Sequence, residues 1–325
     1  MKKFLFNTAI LGIILCLMAI TAEKIITSSL RKSQHYNLLP WNEIFSGNLR
    51  YDALINGSSR ALAFYNPLIL DSVLNMDFYN MGITGSVIER QIFKYNTYCR
   101  LNIPPKLIIQ NIDFNTLNLR HGFEREQFFP YFSDQTFRKE ISCWEPVNFL
   151  EKYLPAYRFK GSAILIAKWL TLNRTSLGPR MVFTKGYFGF EKKWDGTELR
   201  KQNEIDYKQD TTALRIFDQF LASVRKDSIK VIFVYAPLYI EATKKIRNIE
   251  GMYQMYDSIA RKYNIPILDY TYAPISYDTV YFYNATHLNK RGAELFSAQL
   301  AHDIDSLMHE NTLETLWRLK LKHPE

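Results

Sequence analysis

Five short apolar runs, each rich in branched and aromatic residues, stand out between residues 51 and 272. They cover residues 51–57, 77–83, 105–113, 230–238 and 265–272. Runs of this length and composition predict buried strands. Stretches with helical spacing separate most of these runs and follow the last one, and they cover residues 60–75, 86–101, 211–227, 247–263 and about 289–309. We therefore expect strands that alternate with helices.

This alternation predicts an α/β fold, a three-layer α/β/α sandwich with a five-stranded, mostly parallel sheet. Parallel neighbours need right-handed crossovers, and the crossover helices cover both faces of the sheet. The predicted α/β domain covers residues 51–310, and residues 311–325 form a C-terminal tail. The gap at 114–210 is too long for a simple connection, so we predict an insertion with structure of its own. Its expected elements are helices in 146–155 and 162–172 and an aromatic loop or hairpin at 185–196.

The chain begins with Lys2 and Lys3, followed by an uncharged apolar run that ends at Ala22. A bilayer-spanning helix needs ~20 apolar residues, so residues 1–22 are either a signal peptide or a transmembrane signal anchor. Ile20 stands where a good cleavage site has a small residue, and we favour the anchor. The lysines orient the N-terminus towards the cytoplasm, so the globular part is expected to be extracytoplasmic, and secreted if the segment is cleaved. Residues 23–50 are predicted to be a linker.

Composition narrows the classes of partner. The formal net charge is +9, but Lys and Arg are spread along the chain without a basic stripe, so nucleic acid is not an expected partner. The charge favours anionic surroundings, such as a membrane surface or an acidic glycan. Cys99 and Cys143 lie outside the apolar segment, and they either pair or remain buried free thiols. No metal-ligand spacing of Cys or His occurs, so no structural metal is expected.

Polar residues follow several of the predicted strands. Ligands of open parallel sheets bind beyond the carboxyl ends of the strands, so these residues are candidates for a site. Ser58 and Ser59 follow the first strand in "INGSSRA", and His287 precedes the last helix. A serine in this position is most often a helix cap. A histidine at the same sheet edge can instead take the proton of Ser59, which makes a base and a nucleophile.

Four blocks of the sequence together resemble the SGNH (GDSL-like) hydrolase superfamily, and they are "NGSSRA", "YNMGITGS", "IIQNID" and "NATHLNKRGAELFS". The chain is most similar to the membrane-anchored extracytoplasmic branch, which includes the D-alanyl transfer protein of teichoic acid synthesis and alginate-type O-acetyltransferases. The resemblance covers roughly residues 51–113 and 230–309. It implies the flavodoxin-like SGNH fold, with Ser59 as nucleophile and His287 as base. The implied oxyanion hole consists of the N–H groups of Ser59 and Gly82 and the side chain of Asn111.

Two positions depart from the pattern of this superfamily. The third block lacks the usual glycine, and Asn115 is an alternative to Asn111 as the oxyanion asparagine. In the last block, Asn284 stands where the superfamily has the aspartate that orients the histidine. An amide can accept a hydrogen bond from the imidazole, but it cannot stabilise the imidazolium charge. Either a carboxylate from Asp113, Asp269 or Asp278 serves instead, or a Ser-His dyad operates, or the protein is a weak catalyst.

The resemblance implies an extracytoplasmic serine-dependent transferase or esterase. Its expected reaction passes an acyl group, which we expect to be acetyl, through acyl-Ser59 to a cell-envelope polysaccharide or to water. A membrane-bound O-acyltransferase is the implied partner, and the chemistry needs no cofactor. The alternative is a catalytically weak SGNH-fold scaffold that binds glycan or such a partner. A soluble lipase is disfavoured because the chain has no Gly-x-Ser-x-Gly elbow.

Overall fold

The computed structural model describes residues 1–35, 37–118, 125–143, 146–171, 181–196, 199, 204–207, 209–309 and 319–320. The helices are α1 (Lys2–Lys32), α2 (Leu39–Phe45), α3 (Ser59–Phe64), α4 (Pro67–Leu74), α5 (Ile88–Leu101), α6 (Gln135–Ile141), α7 (Phe149–Tyr153), α8 (Ala163–Thr171), α9 (Thr211–Lys226), α10 (Ile240–Thr243), α11 (Ile249–Tyr263) and α12 (Lys290–His309). Short 3₁₀ helices cover Arg125–Tyr131, Tyr157–Phe159, Pro274–Tyr277 and Thr279–Tyr281.

The strands are β1 (Ala53–Asn56), β2 (Phe78–Asn80), β3 (Leu107–Asn111), β4 (Met181–Thr184), β5 (Tyr187–Phe190), β6 (Ile205–Asp206), β7 (Lys230–Tyr235), β8 (Ile246–Arg247), β9 (Ile267–Asp269), β10 (Phe282–Asn284), β11 (His287–Leu288) and β12 (Leu319–Lys320). The central sheet has the order β12-β9-β7-β3-β1-β2, and every neighbouring pair in it is parallel. Its five main strands are the five predicted ones, and the two-residue β12 adds an edge. The predicted α/β fold is confirmed.

The sheet is covered on both faces, as a three-layer sandwich requires. On one face, Ile55 and Ile109 of the sheet join Phe64 of α3 and Phe296 of α12 in a single buried cluster. On the other, Phe217 of α9 stacks against Phe233 of β7 with ring centroids 5.7 Å apart. Successive side chains of a strand point to opposite faces of the sheet, and both faces are apolar and buried. The strands are therefore continuous hydrophobic runs in the sequence.

The predicted helix over residues 60–75 is two helices, α3 and α4. Pro67 lacks a backbone N–H and disfavours helical geometry in the residue before it, so α3 ends at Phe64. Asn66 then caps α4, because its side-chain oxygen accepts a hydrogen bond from the N–H of Leu68 at 3.1 Å. The break fixes the length of the short helix that begins at Ser59.

The described residues divide into two compact units. The helical unit contains those of Met1–Ser46 and His121–Pro179, and the α/β unit contains those of Gly47–Arg120 and Arg180–Glu325. The predicted insertion is therefore split, with its first part joining the N-terminal segment. Its predicted helices are present as α7 and α8, and the predicted hairpin is β4–β5, an antiparallel pair in the α/β unit.

The helical unit has an apolar interior of its own. Leu30 of α1 and Trp41 of α2 are buried, and the indole N–H of Trp41 donates to Gln127 at 3.0 Å. The Trp41 ring meets Phe128 and Phe137 edge to face. Residues 23–50, predicted as a linker, are thus mostly helical, since their large apolar side chains pack against the 3₁₀ helix and α6 that follow in this unit.

Helix α1 is the one helix among the described residues that is long and apolar enough to cross a membrane. Nearly all of its side chains up to Met18 are exposed, and Leu30 near its end is fully buried. The apolar N-terminal segment is therefore a helix that continues without a break into the packed helical unit. Cys99 and Cys143 are both free thiols in the structure, and Cys143 is exposed rather than buried.

Candidate active site

The two serines of the first turn have different roles in the structure. Ser58 is the N-cap of α3, and its hydroxyl accepts from the N–H of Arg60 at 3.4 Å and donates to Asp113 at 2.9 Å. Ser59 occupies the first helical position, and its side chain is half-buried while those around it are buried. Gly57 allows this tight turn, because a Cβ there would lie 2.7 Å from Cβ of Ala61. The turn therefore presents the hydroxyl of Ser59 at the surface.

Ser59 and His287, predicted as nucleophile and base, are hydrogen-bonded in the structure. The Oγ of Ser59 lies 2.8 Å from Nε2 of His287, although 228 positions separate them in the chain. His287 belongs to the short antiparallel pair β10–β11, in which it lies opposite Asn284. The strand order reverses around β1, which has β2 on one side and β3 on the other, and ligands bind at such points in open α/β sheets.

The hydrogen bonds of Asn284 determine the orientation of its amide. Its Oδ1 accepts from the backbone N–H of Thr286 at 3.0 Å, and a backbone N–H is always a donor. The atom facing it must therefore be the oxygen and not the nitrogen. The same Oδ1 lies 3.1 Å from Nδ1 of His287, so Nδ1 must carry the proton.

This tautomer makes Nε2 of His287 an acceptor. The hydroxyl of Ser59 must then donate to Nε2, which is the direction that removal of its proton requires. The hydroxyl of Thr286 also lies 3.0 Å from Nδ1 and 3.3 Å from Oδ1 of Asn284. It can accept from the imidazole while donating to the amide, so both neighbours support the same tautomer.

The surroundings of His287 hold its imidazole in the neutral form. Burial lowers its pKa from 6.5 to about 4, the positive charge of Arg60 acts in the same direction, and Asp113 acts against both. The ring of Tyr283 stacks on the imidazole with centroids 5.3 Å apart. Phe64 meets it edge to face at 6.1 Å. At neutral pH the imidazole is therefore unprotonated, as a general base must be before the reaction.

The three carboxylates considered for the missing triad position have other partners. Asp113 accepts from Ser58 and from the N–H of Asn115, and Asp269 accepts from the N–H of Thr271. Asp278 caps the 3₁₀ helix that follows it, accepting from the N–H of Val280 at 2.9 Å. Among the hydrogen bonds of the described residues, those at Nδ1 of His287 go to Asn284 and Thr286 alone. Asp113 affects the histidine through its charge.

Arg60 follows Ser59 in α3 and is buried, with 5% of its surface exposed. Its guanidinium donates to the backbone carbonyls of Ala236 and Pro237. Burial lowers its pKa, and the charge of Asp113 opposes that shift. Through these hydrogen bonds Arg60 connects the start of α3 to the segment that follows β7.

Gly82 and Asn111, the other predicted oxyanion donors, are hydrogen-bonded elsewhere. The N–H of Gly82 donates to Asn80 at 2.9 Å. Asn111 is fully buried, its side-chain oxygen accepts from Tyr65 at 2.7 Å, and its amide nitrogen donates to Asp113 at 3.3 Å. Their oxyanion role stays a prediction that requires these bonds to rearrange. The N–H of Ser59 is at a helix start, where no intrahelical acceptor exists.

Sequence reasoning did not identify three residues that shape the site. Thr286 contacts the imidazole, and the resemblance gave no reason to examine it because it lies between the two motif positions. Tyr283 stacks on the imidazole, and Phe190 of the hairpin packs against Tyr283 with centroids 4.8 Å apart. No local pattern predicts that contact, since the hairpin is 93 positions away in the chain. The other aromatic residues of the hairpin, including Tyr187 and Phe188, are core residues.

No cluster of three or more His, Cys, Asp or Glu residues suited to a metal occurs within the described ranges. Comparison of the whole sequence with known family models and with curated proteins gives no match. A function for this chain therefore has to be argued from the geometry of Ser59, His287 and their neighbours.

Proposed function

We propose that this protein is a serine-dependent acyltransferase or esterase that works through an acyl-Ser59 intermediate. The observation that carries this proposal is the 2.8 Å contact between the hydroxyl of Ser59 and Nε2 of His287. The fixed tautomer of His287 supports it, because Nε2 is then the basic atom. A serine that served only as a cap would not need this contact, and Ser58 already caps α3.

In the first step, the Oγ of Ser59 attacks the carbonyl carbon of an acyl ester while its proton passes to Nε2 of His287. The tetrahedral intermediate then collapses, and the leaving alkoxide takes that proton to depart as an alcohol. In the second step, an acceptor hydroxyl or water attacks the acyl-enzyme and gives its proton to Nε2. Release of the new ester or acid returns the proton to Ser59.

The proposed reaction uses Asn284 as an orienting group. The amide holds the imidazole in position, but it supplies no negative charge to stabilise the imidazolium that forms during each proton transfer. The lowered pKa of His287 points the same way, since it reflects an environment that disfavours the charged ring. We therefore infer a modest rate of acyl transfer, which depends on the position and tautomer of the imidazole more than on stabilisation of the imidazolium charge.

For the substrate, we propose a cell-envelope glycan as acceptor and an acetyl ester as donor. The similarity of the four sequence blocks to the membrane-anchored SGNH branch supports this assignment. The apolar helix α1 supports a retained anchor, with the α/β unit on the extracytoplasmic side. A membrane-bound O-acyltransferase would supply the acyl group from within the membrane.

A second candidate is a scaffold that keeps the fold and binds glycan or the membrane partner without turnover. The observation that favours it is the engagement of Gly82 and Asn111 by Asn80, Tyr65 and Asp113. A site that stabilises an oxyanion normally keeps such donors free and aimed at the developing charge. Activity measurements separate the two candidates.

Hydrolysis of a chromogenic acetyl ester by the detergent-solubilised full-length protein tests the proposal. We expect measurable release that Ser59→Ala abolishes. Ser58→Ala is the matched control, because it removes the neighbouring hydroxyl and leaves the Ser59–His287 pair in place. Equal release by wild type and Ser59→Ala would reject the acyl-enzyme, and no release from a folded wild type would favour the scaffold.

A further inference from the structure

We propose that the helical unit rests on the bilayer through a surface made of α7 and the basic cavity beside it, and that this surface binds anionic phospholipid headgroups. We name it the interfacial surface and define it by Phe149, Tyr153, Leu154, Lys139 and Lys152. The inference rests on the retained membrane anchor of the proposed function. It does not depend on the chemistry of Ser59.

The length of helix α1 indicates at what depth in the bilayer this surface lies. At 1.5 Å per residue, its 31 residues span roughly 46 Å, whereas the hydrocarbon core of a bilayer needs ~20 residues. Glu23 is the first charged residue after Lys3, so it marks the level at which the helix leaves the hydrocarbon. The residues from Glu23 to Lys32 then stand in the headgroup region and beyond.

The segment after α7 is tied to this level of α1. A carboxylate oxygen of Glu23 accepts from the backbone N–H of Ala156 at 2.7 Å, and the other oxygen pairs with Arg158 at 2.8 Å. Arg158 also donates to the hydroxyl of Thr27, one turn further along α1, at 3.2 Å. Ala156 and Arg158 therefore lie beside the first two turns of α1 outside the hydrocarbon, and α7 ends three residues before Ala156.

The apolar side chains of this segment point away from the interior of the unit. Phe149 is 72% exposed, Tyr153 is 59% exposed and Leu154 is 49% exposed. Nearby in the same unit, Ile164 at the start of α8 is 89% exposed. Phe149 and Tyr153 are four positions apart on α7, and their rings lie 4.8 Å apart on one side of it. Aromatic residues of this kind are enriched at membrane–water interfaces.

A cavity of about 460 Å³ next to these side chains is lined by Arg138, Lys139 and Lys152. Lys152 also lies over the ring of Tyr153 at 4.9 Å and, with Arg138, lowers the pKa of that phenol. The nearest carboxylate on α7, that of Glu151, pairs with Arg125 and is not part of the cavity lining. An excess of cations beside exposed aromatic residues matches the interface of an anionic bilayer.

These observations select the bilayer as the occupant. The apolar and basic parts meet at Lys152 and Tyr153, and the residues that follow α7 are bound to Glu23 and Thr27 at the exit point of α1. A partner protein bound to the interfacial surface would have to displace the lipid headgroups that lie at the same depth. Contact with lipid would fix the tilt of α1 and hold the helical unit against the membrane.

The test uses the full chain in lipid nanodiscs, with Cys16, Cys99 and Cys143 replaced by alanine and a nitroxide placed through Tyr153→Cys. The matched control is Leu68→Cys in α4 of the α/β unit, which starts from a similarly exposed apolar residue at 51%. Collision rates with a water-soluble nickel chelate and with oxygen report whether each label meets water or lipid. Discs of pure phosphatidylcholine are compared with discs that also contain phosphatidylglycerol.

We expect the label at 153 to collide severalfold less often with the nickel chelate than the label at 68, and the protection to increase with phosphatidylglycerol. Lys139→Glu with Lys152→Glu should remove that dependence on anionic lipid. A fully water-exposed label at 153 in a chain that resists alkaline extraction would overturn the inference and leave the anchor and the acyl-enzyme intact. Loss of the chain on alkaline extraction would overturn the inference together with the anchor.

Discussion

The side-chain oxygen of Asn284 lies 3.1 Å from Nδ1 of His287 and also accepts from the backbone N–H of Thr286. This arrangement fixes the imidazole in the tautomer that a general base needs. It lacks the negative charge that an aspartate would bring to the same place. Orientation and charge stabilisation, which one carboxylate usually provides together, are thus separated in this site.

Asn284→Asp should raise the rate of acyl-ester cleavage by about 10- to 10³-fold, because a carboxylate would stabilise the imidazolium of the transition state. The aspartate can accept the same hydrogen bonds from Thr286 and His287, so the local structure should be retained. The measurement is kcat/KM on an activated acetyl ester, with circular dichroism to confirm the fold. An unchanged rate would show that charge at position 284 does not limit the reaction.

The pH profile of kcat/KM should lose activity only as the pH falls through about 4, where His287 becomes protonated. With a histidine of ordinary pKa, the activity would fall near pH 6.5. Because folding depresses this pKa, the protein should also lose stability as the pH falls from 6.5 towards 4. Asn284→Asp should move the acid limb of the profile upwards, since a nearby negative charge favours imidazolium. An acid limb near 6.5 in the wild type would contradict this account of the histidine environment.

Thr286→Val should slow the reaction about 3- to 10-fold, which corresponds to the loss of one hydrogen bond of ordinary strength. Valine keeps the shape and the backbone N–H to Asn284, and it removes the hydroxyl that lies 3.0 Å from Nδ1 of His287. Ser297, whose hydroxyl bridges α12 to α3, provides a control for loss of a buried hydroxyl away from the imidazole. Ser297→Ala should lower stability and leave kcat/KM of the folded protein unchanged.

Gly82→Ala should destabilise the α/β unit by about 3 kcal/mol, at the upper end of overpacking effects. An added Cβ would lie 2.2 Å from the backbone nitrogen of Leu62, which α3 holds in place. Gly85→Ala is the control, because nothing lies within 4 Å of its added Cβ and only its left-handed φ of +64° opposes the change. Thermal unfolding should show the larger shift for Gly82. Comparable small shifts would mean that Gly82 is not fixed against α3.

The strands, most helices and the pair Ser59–His287 follow from local patterns in the sequence. Buried parallel strands produce continuous apolar runs, and the carboxyl ends of such strands meet at one edge, so residues after β1 and before α12 could be expected to meet. The identity of the histidine partner was harder to predict. The sequence leaves Asn284, Asp113, Asp269 and Asp278 as possible partners of His287. Only the structure shows that Asn284 contacts the imidazole, because the hydrogen bonds of these residues depend on the three-dimensional path of the loops.

Two features had no signal in the sequence. The N–H of Gly82 donates to Asn80, and Asn111 accepts from Tyr65. The directions of these two partner side chains depend on packing around α3. The helical unit joins the N-terminal segment to residues about a hundred positions later, for example through the hydrogen bond from Arg31 to the carbonyl of Pro130, 99 positions away. Hydrophobic periodicity reports which side of an element is buried, and it does not report which distant segment covers it.

The central claim is that the hydroxyl of Ser59 is an activated nucleophile. Its most direct test is intact-mass and peptide analysis of the folded full-length protein in detergent after exposure to a fluorophosphonate, with Ser59→Ala and Ser58→Ala in parallel. We predict one adduct on Ser59 in the wild type and in Ser58→Ala, and none in Ser59→Ala. An unmodified wild type, or an adduct that persists in Ser59→Ala, would contradict the claim.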